Sequence, residues 1–361
     1  MCYNILMKNP DYFKKREIES LNKLDALISD MPYFVRDYFV GIELRTSVLS
    51  RLNYAYDLRI FFDFLIKKVF REKRITQLSF NDLAILDVSD FEYFLSYLSN
   101  YEINGKHQSC SETGKARKLS TLRAFYKHFF NKNKLPANTP SKVSMPKIHE
   151  KEIIRLDSNE NVDEVADMLY VVETGDGLTK KQSYYHNLTK IRDTAILTVF
   201  LGTGIRISEL VGLNLNDIDF NSNSLIVTRK GGNRAVLYFN EQVSSALKNY
   251  ILIREDQNKT LNEPALFISL QNKRISTRIV QELVKKYAKI VSPLKKITPH
   301  KLRSTFGTNL YRQTGDIYVV ADCLGHKDVN TTKKHYAAIT DDIRKKAGSG
   351  LNITSKNNGD K

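Results

Sequence analysis

The chain has 361 residues, and its 56 lysines and arginines against 40 acidic residues give a net charge of +16. A single hydrophobic core stops growing near ~250–300 residues, so two domains are expected, and the charge favours a polyanion as the partner. An apolar run of about 20 residues, which a membrane span would need, is missing. The N-terminus lacks the order of a signal peptide, and three cysteines without a CxxC pattern disfavour a zinc site or a disulfide framework. We therefore expect a cytoplasmic protein that binds no membrane and no metal.

The first part of the chain, residues 1–132, has helical periodicity. Apolar residues recur at helical spacing over Arg16–Asp30, Thr46–Phe70, a segment from Val88, and Ser111–Asn131. Alternation typical of strands does not interrupt this part, so a helical bundle is predicted. Basic and aromatic side chains on its helices are candidate phosphate contacts, and the alternative for each is a solvated helix face: Arg51, Tyr54, Lys115, Arg117, Lys118 and Arg123.

A linker is predicted at residues 133–152, where three prolines and many lysines stand with little periodicity. The rest of the chain up to residue 347 predicts a second domain, mainly helical with a small antiparallel sheet. Its helices are expected at Ser158–Val172, Lys190–Leu201, a segment from Arg206, Glu241–Arg254 and Ser276–Val291. Strand-like runs at Leu225–Thr228 and Ala235–Phe239 flank a Lys-Gly-Gly-Asn turn, which is a strong hairpin signal. The polar residues 348–361 predict a disordered tail.

The stretch from Thr298 to Tyr336 concentrates residues that can bind phosphate. Thr298 and the proline after it predict a helix start. His300 and Arg303 share one face near that start, where anions bind well. A second amphipathic helix ends just before His326, and Tyr336 lies ten residues further on. The ends of two helices therefore predict a phosphate site.

Four motifs in this order, TGIRISEL, RKGGN, TPHKLRSTF and LGHKDVNTTKKHY, resemble the tyrosine recombinase (phage integrase) family and in particular its Xer-like branch. One Arg-x-x-Glu would be weak support, whereas four ordered motifs are specific. The resemblance covers most of the chain. It implies a mainly α fold with a small antiparallel β-sheet, arranged as the two-domain clamp of the family. Residues 1–132 would be the core-binding domain, and residues 153–347 the catalytic domain.

The resemblance also implies roles for individual residues. By position, the family's catalytic residues fall on Arg206, Lys230, His300, Arg303, His326 and Tyr336, with Glu209 as the supporting acid. Two positions differ from the usual pattern. Ser304 stands where many relatives have histidine, and the spacing from His326 to Tyr336 is one residue longer, with His335 in the extra position.

The chemistry that follows from these roles is phosphoryl transfer without a cofactor. The two arginines would hold the non-bridging phosphate oxygens, and Tyr336 would attack the phosphorus. Lys230 would protonate the leaving 5′ oxygen, with the adjacent Arg229 as a competitor for this role. Either His300 accepts the tyrosine proton or it donates to a phosphate oxygen, while His326 is expected to donate to the phosphate.

The resemblance implies a site-specific recombinase that passes through a 3′-phosphotyrosyl intermediate and a Holliday junction. Four protomers would act on two double-stranded DNA sites. Chromosome dimer resolution, mobile-element integration or excision, and DNA inversion stay open, as does the need for a second recombinase or an accessory protein. A type IB topoisomerase and a catalytically silent DNA-binding protein on the same fold are the alternatives.

Overall fold

A computed structural model describes residues 12–103, 105–148, 154–158, 162–229, 232–257, 263–326 and 329. The chain divides into two compact units, Met1–Lys151 and Glu152–Lys361. The described residues are mainly helical, with one two-stranded and one three-stranded antiparallel sheet, and this confirms the predicted fold class. No helix in those ranges is long and apolar enough to cross a membrane.

The first unit is a helical bundle with one short hairpin. Its elements are α1 (Tyr12–Ile28), α2 (Phe34–Ile42), α3 (Val48–Phe64), α4 (Phe80–Ala84), α5 (Val88–Tyr97), β1 (Tyr101–Ile103), β2 (Lys106–Gln108) and α6 (Glu112–Phe130). The helices predicted from periodicity are confirmed. Helix α2 and the antiparallel β1–β2 pair are additions that the sequence pattern did not indicate.

The core of this unit is aromatic. The Phe34 ring stacks on Phe80 with 4.7 Å between centroids, and Phe61 stacks on Phe91 at 5.6 Å. Large planar side chains bury much apolar area each, so a few of them can close a small bundle. Side chains that accept a backbone N–H fix the starts of three helices: Ser47 for α3, Asp87 for α5 and Ser111 for α6.

Part of the segment predicted as a linker packs on the first unit. Leu135 and Val143 are buried. Arg123 of α6 donates from Nε to the Pro140 carbonyl oxygen at 3.0 Å and from Nη2 to the Val143 carbonyl oxygen at 2.5 Å. The prolines and lysines of this segment thus mark an irregular strap on the bundle up to Val143, and residues 149–153 lie outside the described ranges.

The second unit combines helices with a three-stranded sheet. Its elements are α7 (Glu164–Thr174), α8 (Lys180–Thr203), α9 (Ile207–Gly212), β3 (Ile218–Asp219), β4 (Ser224–Thr228), β5 (Arg234–Tyr238), α10 (Glu241–Gln257), α11 (Thr277–Val291), α12 (Pro299–Thr314) and α13 (Ile317–Leu324). The strand order is β3–β4–β5, and the β4–β5 pair is the predicted hairpin, with Thr228 opposite Arg234. The predicted tail, residues 348–361, lies outside the described ranges.

Two glycines end the helices that lead to the predicted site. Gly204 follows α8 with φ +62°, and Gly325 follows α13 with φ +59°. Both are left-handed, which glycine adopts without the steric cost that a side chain brings. Helices α12 and α13 pack through a small apolar cluster of Tyr311, Val320 and Leu324. The chain reversals therefore bring the start of α9, the body of α12 and the end of α13 together.

Two valines of helix α2 allow a matched test of the core. Val35 is fully buried, whereas Val40 is 66% exposed. We expect Val35→Ala to lower the free energy of unfolding by about 2 kcal/mol, because two methyl groups leave a packed site. Val40→Ala should change it by less than about 0.5 kcal/mol. Urea denaturation followed by circular dichroism measures both, and equal effects would contradict the placement of α2.

Candidate active site

Arg206 stands at the N-cap of α9, and Glu209 one turn later fixes its orientation. The Glu209 carboxylate accepts from the Arg206 backbone N–H at 3.0 Å and from Nη1 at 2.8 Å. The Glu209 side chain is 3% exposed and that of Arg206 is 37% exposed. A buried carboxylate that accepts twice from one residue holds the guanidinium in place. This pairing is the one expected from the Arg-x-x-Glu motif.

Arg303 lies in the first half of α12 and is almost completely buried, at 5% exposure. Its Nη1 donates to the Gly204 carbonyl oxygen at 2.5 Å, and its Nη2 donates to the Leu324 carbonyl oxygen. Both acceptors belong to helix ends, where carbonyl groups lack partners within the helix. Thr305 in the same helix accepts from the Leu156 N–H at 3.0 Å, which ties the start of the second unit to α12.

The end of α13 brings the two arginines to one oxygen atom. Arg206 Nη2 donates to the carbonyl oxygens of Leu324 and Gly325, each at 3.3 Å, and the Leu324 oxygen is the one that Arg303 also contacts. The C-terminus of a helix carries partial negative charge, so it stabilises nearby cations. Two guanidinium groups directed at one oxygen are an arrangement that suits a phosphate.

The two predicted histidines lie at the edges of this arginine pair. His300 is an exposed residue in the first turn of α12, where backbone N–H groups favour an anion. His326 is partly buried and directly follows the Gly325 turn, and its backbone N–H donates to the Ala321 carbonyl oxygen at 2.9 Å. Ser304 donates from Oγ to the His300 backbone oxygen at 3.2 Å, so this residue supports the first turn of α12.

Arg229 is a further arginine at the same helix end. Its guanidinium lies so close to Gly325 that a Cβ built on this glycine would be 2.1 Å from Nη1. Burial raises the pKa of the neighbouring Cys323 thiol, Asp322 raises it further, and the Arg229 charge opposes the shift. In the sequence Arg229 is the adjacent competitor of Lys230 for the general-acid role, and nothing there indicates contact with a glycine almost a hundred positions later.

Two predicted site residues, Lys230 and Tyr336, lie outside the described ranges. Their roles stay predictions from the motifs. Of the predicted catalytic set, the structure thus brings together Arg206, Glu209 and Arg303, while His300 lies in α12 with Arg303 and His326 directly follows the turn at the end of α13.

Comparison with known proteins identifies the family. The model of the phage integrase family matches residues 164–342. Tyrosine recombinase XerC of Caldanaerobacter subterraneus is 32% identical over 82% of this chain and 80% of that protein. Tyrosine recombinase XerS of Streptococcus agalactiae is 31% identical over 92% of this chain and 99% of its own length. The chain belongs to the tyrosine recombinases of the phage integrase family. It is an enzyme of the Xer-like branch, as the motifs implied.

Solved structures agree on the fold. XerH recombinase bound to a palindromic difH substrate, in a post-cleavage complex, has a TM-score of 0.64 at 17% identity and covers 94% of this chain and 90% of that one. A lambda integrase dimer bound to a core site has a TM-score of 0.56 at 14% identity, over 89% and 97% of the two chains. Identities this low support the two-domain recombinase fold alone.

Three of the basic residues predicted to contact DNA in the first unit have partners inside it. Arg51 is buried and donates from Nη1 to Glu43 at 2.7 Å. Lys118 is buried with its Nζ 3.5 Å from the Asp57 carboxylate, and Arg123 bonds to the strap carbonyls described above. The helical pattern could not indicate these partners, because each of them lies outside the helix that carries the basic residue. Arg51 and Lys118 are thus buried within the first unit, and their roles as DNA contacts stay predictions.

The other three predicted contacts of the first unit retain more exposure. The Arg117 side chain is 48% exposed while Nη1 lies 2.7 Å from Asp57. Lys115 is partly exposed and pairs with Glu112 at 2.9 Å, and Tyr54 packs partly against the core. Burial raises the pKa of Asp57 above its ordinary value, against the opposing charges of Arg117 and Lys118. These side chains stay predictions as DNA contacts.

Gly204 offers a test of the close packing behind the arginine pair. A Cβ on Gly204 would be 2.4 Å from Phe306 Cδ1, whereas one on Gly315, with φ +68°, would meet nothing within 4 Å. Both substitutions by alanine carry the left-handed penalty of about 1–2 kcal/mol. Gly204→Ala adds overpacking of about 1–3 kcal/mol. Thermal unfolding of the two variants should therefore show the larger loss for Gly204→Ala, and equal losses would contradict this packing.

Proposed function

We propose that the recombinase cuts and rejoins DNA at specific sites, with the phosphate of the cleaved strand bound where Arg206 and Arg303 converge. The observation that supports this best is that both guanidinium groups donate to the same carbonyl oxygen, that of Leu324. A group of donors held at one point before the substrate arrives stabilises the charge that develops in the transition state. Glu209 keeps Arg206 in the required orientation through both of its oxygens.

In the proposed reaction Tyr336 attacks the phosphorus and forms a 3′-phosphotyrosyl bond. Tyrosine has a pKa near ~10, so its proton needs an acceptor, and His300 in the first turn of α12 is the proposed one. Lys230 gives a proton to the departing 5′ oxygen, and His326 donates to a phosphate oxygen. The covalent bond to tyrosine conserves the energy of the phosphodiester. A 5′ hydroxyl of another strand can therefore attack the phosphotyrosyl bond and reverse the step, and no cofactor is required.

The biological reaction proposed is Xer-like recombination. Four protomers on two DNA sites would exchange one pair of strands, form a Holliday junction and then exchange the other pair. The family membership supports recombination over the topoisomerase alternative, and the Arg206–Glu209–Arg303 arrangement disfavours a silent DNA-binding protein. The proposed recombinase works in the cytoplasm, on double-stranded DNA.

The first unit is proposed to contribute phosphate contacts rather than chemistry. Arg117, Lys115 and Tyr54 are the candidates there, because part of each side chain remains accessible. Contacts of lysine and arginine with phosphates release counterions, so binding should weaken steeply with salt. Arg117 is the best candidate, since the Asp57 pairing leaves about half of its side chain exposed.

Loss of the nucleophile tests the covalent step. Tyr336→Phe should bind DNA with unchanged affinity and form no covalent adduct, because only the attacking oxygen is removed. Binding is measured by gel shift, and the adduct is measured on denaturing gels with duplexes selected for binding from a random-sequence library.

Tyr318→Phe is the matched control, because Tyr318 is a tyrosine of α13 that is 70% exposed. It should form adducts at the wild-type rate. An adduct that persists in Tyr336→Phe and is lost in Tyr318→Phe would refute the choice of nucleophile.

Replacement of Arg206 tests the phosphate site. Arg206→Lys keeps the charge and loses the planar pair of donors, so adduct formation should slow by about 10²–10³-fold, the usual cost of one transition-state donor. Binding of the same duplex should fall much less.

The exposed Arg278 of α11 supplies the control, since Arg278→Lys should leave the rate within about twofold, as expected for a surface substitution. If Arg206→Lys weakened binding and cleavage to the same extent, Arg206 would contribute to binding of the uncleaved duplex rather than to specific stabilisation of the transition state.

A further inference from the structure

The backbone of Arg229 closes the turn that contains Lys230. Its N–H donates to the Asn233 carbonyl oxygen at 2.7 Å, and its own carbonyl oxygen accepts from the Gly232 N–H at 3.1 Å. Gly232 has φ +81°, as expected for the left-handed residue of a three-residue hairpin loop. Arg229 is thus the residue at which the β4–β5 loop is joined to the sheet, and Lys230 follows it directly in the sequence.

The side chain of Arg229 crosses to the end of α13. A Cβ on Gly325 would be 2.1 Å from Nη1, 2.3 Å from Cζ and 2.8 Å from Nη2, so the whole guanidinium lies against this glycine. The left-handed backbone at Gly325 and the lack of a side chain are both needed for that approach. Arg229 therefore links the hairpin to Gly325 at the end of α13. The carbonyl oxygens of Leu324 and Gly325 accept from Arg206, and that of Leu324 also accepts from Arg303.

Folding of the hairpin alone does not explain an arginine at this position. The Nε of Arg229 is buried and has no hydrogen-bond partner. A buried donor without a partner costs about 1–3 kcal/mol, and an aliphatic side chain at the end of β4 would avoid that cost. A residue that carries such a cost next to a catalytic group is a candidate for a functional role.

We propose that Arg229 is a positioning residue for Lys230: by resting on Gly325 it fixes the start of the loop relative to the arginine pair. This role presupposes the strand-transfer function proposed above. In that step the tyrosine oxygen bonds to phosphorus and the bond between phosphorus and the 5′ oxygen breaks. Its electron pair stays on that oxygen, which takes a proton from the Lys230 ammonium group. A displaced loop would slow this proton transfer and leave the phosphate contacts intact.

A change of leaving group separates positioning of the acid from other roles. A bridging 5′ sulfur leaves as a thiolate, since thiols have a pKa near ~8.5, and needs no proton. The scissile phosphate is first mapped with the wild-type protein on a duplex selected for binding from a random-sequence library. Adduct formation is then timed on that duplex with either a 5′ oxygen or a 5′ sulfur at the mapped bond. Lys230→Ala provides the reference for loss of the acid itself.

We expect Arg229→Ala to slow cleavage of the oxygen duplex by about 10²-fold, the lower range of what a general acid contributes. The sulfur duplex should restore the rate to within a few-fold of wild type, and that recovery also shows that the variant is folded. A rate equally slow on both duplexes would overturn the role, because it would point to a phosphate contact or a damaged fold.

Gly325→Ala displaces the guanidinium without altering Arg229, and Gly315→Ala matches its backbone strain in open space. Gly325→Ala should slow cleavage of the oxygen duplex, and the sulfur duplex should restore its rate. Gly315→Ala should cleave at the wild-type rate. The double variant with Arg229→Ala should be no slower than Arg229→Ala alone. The contact would be overturned if Gly325→Ala formed the adduct as fast as Gly315→Ala. It would also be overturned if the rate losses of Gly325→Ala and Arg229→Ala added up in the double variant. If wild-type protein, tested beside Tyr336→Phe, forms no adduct with any selected duplex, the proposed function itself fails.

Discussion

The carbonyl oxygen of Leu324 is the point on which the arginine pair of the second unit depends. Helix α13 ends there because Gly325 turns left-handed, and the carbonyl group is left without a partner within the helix. Arg206 from the start of α9 and Arg303 from α12 both donate to it. A backbone atom is suited to this task, because its position is fixed by the apolar packing of α13 against α12 rather than by a rotatable side chain.

Around this oxygen the second unit arranges groups from the α8–α9 region and from the β4–β5 hairpin. Glu209 in α9 accepts from Arg206, and Gly204 at the end of α8 accepts from Arg303, so each guanidinium group has one further restraint. The hairpin reaches the same place through Arg229, which has only a packing contact with Gly325. The proposed phosphate site is thus built from helix ends, and the hairpin reaches them through the side chain of Arg229. Donors fixed by helix ends suit a binding group that must be preorganised.

Sequence reasoning predicted the periodic helices, the hairpin and the order of the site motifs, because each is a local pattern. It missed α2, whose N-cap residue Tyr33 makes no side-chain cap, and the β1–β2 pair, whose strands are three residues long. The motifs indicated Arg206, Glu209 and Arg303 but not the carbonyl oxygen that the two arginines share, since backbone acceptors leave no trace in residue identity. Burial of Arg51 and Lys118 depends on Glu43 and Asp57, and a helical wheel contains no information about such partners.

The two arginines differ in burial, so the free energy needed to remove each of them from water is spent at a different stage. Arg303 loses its hydration when the chain folds, so that cost is already contained in the stability of the second unit. Arg206 keeps about a third of its side chain in solvent, and at the proposed site its remaining water would be displaced only when a phosphate binds. Ions from solution can reach Arg206 and not Arg303. Of the two charges, Arg206 should therefore account for the counterions released when the duplex is bound.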